Sequence, residues 1–68
     1  MTVKKIFLHR FNPTTIEIEI EYLDALHIKN RVKVSSDVLE TAQHALTQNS
    51  GQPVVMMFNP ITNTFVHR

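Results

Sequence analysis

From Ile16 to Glu21 the chain alternates isoleucine and glutamate without a break, and Tyr22 continues the apolar phase. Side chains on a strand point to opposite faces with a period of two, so Ile16, Ile18, Ile20 and Tyr22 share one face and Glu17, Glu19 and Glu21 the other. A helix would scatter the same isoleucines around its circumference. The stretch is a strand with one buried and one charged face. The rest of the chain must supply its neighbours and a cover for the isoleucines.

Lys4 to Phe11 reads as the strand before it. Its run Ile6-Phe7-Leu8 is apolar in both phases, the pattern of a strand covered on both sides, hence a central position or a subunit contact. Asn12-Pro13-Thr14 ends it, because proline disfavours α conformation in the residue it follows. After the isoleucines, Leu23-Asp24-Ala25 reverses the chain and Leu26 to Val34 alternates again. Leu26, Ile28, Val32 and Val34 take one face; His27, Lys29, Arg31 and Lys33 take the other. Antiparallel pairing sets Glu21 opposite His27 or Lys29, Glu19 opposite Lys29 or Arg31, and Glu17 opposite Arg31 or Lys33. Each such pair contributes roughly 0.2–1 kcal/mol. A slip of one residue would carry glutamates into the core, so the ladder is a register device first. Asn30 breaks the apolar phase and marks a bulge or a bend; with a bend, the strand begins nearer Arg31 and residues 25–28 are loop.

Ser35-Ser36-Asp37 starts a helix, with Asp37 and Glu40 at capping-box spacing. Val38, Leu39, Ala42, Ala45 and Leu46 form its apolar stripe. Asn49-Ser50-Gly51 ends it, with the chain's only glycine near the left-handed cap position. Val54 to Phe58 is a second strand apolar in both phases. Asn59-Pro60-Ile61-Thr62-Asn63 turns the chain, with Asn63 suited to a left-handed conformation, and Thr64 to His67 closes the hairpin. Phe11-Asn12-Pro13 and Phe58-Asn59-Pro60 echo each other as two similar strand-end turns, and no duplicated domain surrounds them.

The expected fold class is α+β: a single domain over residues 1–68, ordered β-β-β-α-β-β, with a mainly antiparallel five-stranded sheet and one helix on one face. A chain of 68 residues without cysteine has little stability in reserve and no disulfide to add. Five modest apolar side chains on one helix do not cover strands that are apolar on both sides. Uncovered apolar surface of this kind marks an interface. Self-association is therefore expected, with Ile6, Phe7, Leu8, Val55 and Met57 as the contact residues.

The chemistry-bearing residues are few. The four histidines (His9, His27, His44, His67) show no zinc-site spacing; only His9 and His67, if their strands are neighbours, suggest a shared site. The glutamates face cations and read as a solvated row. Serines 35, 36 and 50 sit at helix ends, where capping is their usual role. A lone glycine excludes glycine-rich phosphate loops. No catalytic, metal or cofactor-binding residue is assigned, and the expectation is a small non-enzymatic interaction module, acting as a homodimer through an apolar sheet face or an edge strand. The alternative is a nucleic-acid-binding regulator using Lys29, Arg31 and Lys33, although a net charge of +1 supplies no general pull toward phosphate. No apolar run approaches a membrane span or a signal peptide, so no membrane partner and a cytoplasmic location are expected.

Overall fold

The alternating segments pair with one another as their periodicity demands. A computed structural model describes residues 3–66. In it β1 (Lys4–Asn12), β2 (Glu17–Tyr22), β3 (Lys29–Lys33), β4 (Val54–Asn59) and β5 (Thr64–Phe65) form one sheet in the order β3-β2-β1-β4-β5. All four pairings are antiparallel. The helix α1 (Ser36–Gln48) packs over β1 and β2, giving the expected α+β architecture. β1 is the central strand.

One face of the sheet meets the helix. Ile6, Leu8, Ile18, Ile20 and Phe58 have essentially no exposed surface, and Phe65, Val38, Ala42 and Leu46 complete the buried core. Leu39 and Ala45 pack against its margin, so the whole predicted helical stripe is used. Phe58 and Phe65 meet edge-on, centroids 5.7 Å apart. Each large side chain buried here stabilises the fold by roughly 1.5–3 kcal/mol.

β1 changes phase within its length. Leu8 pairs with Ile20, but Arg10 pairs with Glu19, so two residues of β1 answer one step of β2. This is a β-bulge at His9-Arg10. It places His9 and Arg10 on the same side and returns Phe11, opposite Ile18, to the core. The shift is written in the sequence: Ile6 and Leu8 occupy even positions, whereas Phe11 is odd.

The β2–β3 ladder takes the second of its two expected registers: Glu21 with Lys29, Glu19 with Arg31, Glu17 with Lys33. One expectation nearby is corrected, and the bend alternative holds for residues 25–28. Ile16 lies outside β2, 39% exposed and with φ at 55°. Leu26 and Ile28 are exposed and outside any strand, since β3 starts only at Lys29. Leu23 to His27 form turns, and His27 takes φ of 70°, which breaks the alternation. Asn30, opposite Ile20, is half-buried and marks where the bend has ended.

The helix is capped by Ser35, whose side chain accepts the Val38 N–H at 3.3 Å. Asp37 is therefore inside the first turn, where its charge suits the helix dipole, and the Asp37–Glu40 capping box does not form. At the other end Gly51 N–H donates to Leu46 C=O at 2.8 Å and Ser50 N–H to Thr47 C=O at 3.2 Å. These are the two bonds of a Schellman ending. Its left-handed position falls on Ser50 (φ 57°), with Gly51 following at 77°.

The two Asn-Pro turns are alike in detail. Asn12 pairs with Glu17 and Asn59 with Thr64, leaving loops of equal length. Asn12 Oδ1 accepts the Thr14 N–H at 2.9 Å, and Asn59 Oδ1 accepts the Ile61 N–H at 3.0 Å. Four residues after each asparagine the chain turns left-handed, at Ile16 and at Asn63, both with φ of 55°. Asparagine tolerates that conformation; a β-branched isoleucine holds it at a cost on the order of 1–3 kcal/mol. Asn63 has a further role. Its Nδ2 donates to Lys33 C=O at 3.2 Å, tying the β4–β5 turn to the opposite edge of the sheet.

Candidate functional site

Period-two alternation assigns the other sheet face residue by residue. Lys29, Arg31 and Lys33 come from β3, and Glu17, Glu19 and Glu21 from β2. β1 adds Lys5, Phe7, His9 and Arg10, and β4 adds Val55 and Met57. No element packs over this face among the described residues, because α1 lies on the other. The face divides in two: alternating charge rows on β3 and β2, and an apolar patch across β1 and β4. Phe7 pairs directly with Val55, and Lys5 with Met57, so Phe7, Val55 and Met57 are contiguous. Val55 is 52% exposed, while Phe7 and Met57 are half-buried.

Of the five expected contact residues, Phe7, Val55 and Met57 stand on this open face. Ile6 and Leu8 do not: both are fully buried under the helix. The run Ile6-Phe7-Leu8 is apolar in both phases because one phase feeds the core and the other the open face.

Between the two halves lies a hydrogen-bonded cluster around Glu21. His9 Nε2 donates to Glu21 Oε1 at 2.8 Å, with both side chains largely buried, at 17% and 12% exposure. Glu21 Oε2 accepts the His27 N–H at 2.7 Å. The His27 N–H, and then the His9 ring, hold the Glu21 carboxyl below the usual carboxylate range. The His9 ring also sits beside Phe7, centroids 6.3 Å apart. The bulge is what makes this contact, since it carries His9 across toward β2. Sequence reasoning placed Glu21 against β3 only. The missing signal was the switch from even to odd apolar phase in β1.

Other charges are looser. Arg10 Nε stands 4.0 Å from Glu19 Oε1 and is largely exposed; Lys4 Nζ meets Asp24 at 3.0 Å, both side chains being about half exposed, and lies 5.7 Å from the Tyr22 ring centroid. Exposed pairs of this kind are worth about 0–1 kcal/mol. Lys29, Arg31 and Lys33 are exposed, and none of them has a carboxylate within 4.0 Å among the described residues.

A shallow hollow of about 280 Å3 lies along α1, lined by Glu40, Gln43, His44 and Thr47. A cleft of about 150 Å3 lies between the start of α1 and β5, lined by Asp37, Val38, Thr41, Thr64 and Phe65. Small-molecule sites typically occupy about 300–1,000 Å3. Among the described residues no three histidine, aspartate or glutamate side chains converge as metal ligands. His67 lies outside the described residues, and with it the expected His9–His67 pairing. No helix of the described residues is long and apolar enough to cross a membrane.

Neither a protein-family model, nor a curated protein, nor a solved structure matches this chain.

Proposed function

We propose that this chain is a non-enzymatic interaction module that works as a homodimer, joined through the open face of its sheet. The observation that carries this reading is the contiguous patch of Phe7, Val55 and Met57 on a face without a cover, with Val55 52% exposed. The face suits this better than the edges do. β5 is two residues long. β3 carries cations at alternate positions, which repel the same edge of a second copy, and it is tied at Lys33 by Asn63.

Three side chains fall short of the roughly 800 Å2 per partner of a stable interface, so a second copy would cover the charge rows as well. The apolar patch would then form the centre and the charge rows the rim, the usual anatomy of such contacts. In a two-fold dimer each patch residue counts twice.

Placing a carboxylate at the centre of the patch tests the reading. Val55→Glu leaves the helix-side core untouched, so the variant is expected to unfold at nearly the wild-type temperature measured for separated protomers. Its mass by light scattering falls from twice 7.9 kDa to 7.9 kDa at micromolar concentration. A wild-type chain already monomeric at high-micromolar concentration, or a Val55→Glu variant that remains a dimer, would overturn it.

A further inference from the structure

The free side of β3 is organised by its hydrogen-bonding phase. Val34 N–H donates to Ile16 C=O at 3.1 Å, toward β2. Antiparallel pairs alternate between bonded and non-bonded, so Val32 and Asn30 also turn their backbone groups to β2. Lys29, Arg31 and Lys33 consequently turn theirs outward. Lys33 bears this out, since its C=O accepts Asn63 Nδ2 from the far edge of the sheet. The outward N–H and C=O groups of Lys29 and Arg31 meet no partner among the described residues.

The same residues carry the exposed cations. Their neighbours on β2 leave them free: Glu21 is engaged by His9 and the His27 N–H, and the nearest cation to Glu19 is Arg10. Ile28, the residue just before the strand begins, stands 59% exposed. Cations at alternate positions, unpaired outward backbone and an exposed isoleucine at the start of the strand describe the complement of an extended segment that alternates acidic and apolar residues. β2 itself has that pattern and answers the cations from the other side in register.

We propose that the β3 edge binds an extended acidic segment of a partner protein as a sixth strand. Its backbone bonds to Lys29 and Arg31, its alternate carboxylates face Lys29, Arg31 and Lys33, and its apolar side chains reach Ile28. Lysines on an edge deter indiscriminate pairing; here they select for negative charge. A nucleic acid would use the cations alone. It would leave the outward backbone and Ile28 idle, and it would face the glutamate row only one strand spacing, about 4.8 Å, further in.

The probe is a short fluorescein-labelled peptide alternating glutamate and valine, titrated with the full chain and followed by anisotropy. Saturable binding is expected. It should weaken at least about tenfold in Arg31→Glu, where like charges oppose, and weaken in 1 M salt, where the Debye length is only about 3 Å. It should persist in Val55→Glu, which separates this site from the dimer face. A copy of the peptide N-methylated at consecutive residues should not bind, because it cannot complete the ladder in either phase. Equal binding of the methylated peptide, equal binding to Arg31→Glu, or tighter binding of a labelled oligothymidine would overturn the proposal.

Discussion

β1 shows two environments on one strand. Toward the helix it presents Ile6 and Leu8, each without exposed surface. Toward the open side it presents Phe7 and His9, a single residue away in sequence and held only by neighbours within the sheet. The first environment is a packed interior in which a lost methylene is felt directly. The second combines an apolar patch, a histidine–glutamate contact and two charge rows, and nothing in the chain's own helix supports it. Stability is concentrated on the helix side. The open side is where the chain has surface to spend on a partner.

Substitutions test this asymmetry. Phe58→Ala removes the largest fully buried side chain and should cost about 3–5 kcal/mol in denaturant unfolding. The open-face control Val55→Ala should change the unfolding of separated protomers by less than about 0.5 kcal/mol. Comparable costs for the two would erase the distinction between the faces. Phe11→Ala should fall between them, at about 2 kcal/mol, because the bulge returns a partly buried ring to the core. If Phe11→Ala is as mild as Val55→Ala, the phase change at His9 does not operate.

The Glu21 cluster gives a test by pH. Its carboxyl titrates below the reference value of 4.5 in the folded chain. The contribution is present above that reference value and is lost as pH falls through the lowered one. Wild-type stability should therefore decline on acidification below about pH 4.5 more steeply than that of Glu21→Gln, as followed by thermal unfolding across acid pH. Identical acid limbs would show that the His27 and His9 contacts do not hold the carboxyl. The smallest effect belongs to the outer ladder. Glu19→Gln faces Arg10 at the limit of ion-pair distance and should shift stability by less than about 0.5 kcal/mol.

Much of the fold was legible because its signals are local. The isoleucine–glutamate alternation, the stripe from Val38 to Leu46 and the paired Asn-Pro turns each declare their structure within a few residues. The charge rows narrowed the β2–β3 register to two choices, of which the structure takes one. What stayed hidden was of another kind. Leu26 and Ile28 obey the alternation but are withdrawn from the sheet by the left-handed turn at His27, a conformation with no glycine to announce it. Ile16 is excluded from β2 because its turn demands a left-handed residue four places after Asn12. Ser35 rather than Asp37 caps the helix, since either residue type serves there.

The open face was only half visible. Ile6, Phe7 and Leu8 look equivalent as a run, and only the burial of Ile6 and Leu8 separates core from surface. The His9–Glu21 contact depends on β1 lying beside β2 with a bulge in between, a long-range arrangement that no short segment encodes. Phe11 at an odd position after Ile6 and Leu8 at even ones was the sole local trace of it.

The dimer proposal is tested most directly by NMR on dilution of the full-length chain from millimolar to low-micromolar concentration. Concentration-dependent shifts should appear at the Phe7 ring, the Val55 methyls and the Met57 methyl, with none at Val38, Ala42 or Leu46 on the buried face of α1. Spectra that do not change over that range, or shifts confined to α1, would contradict it.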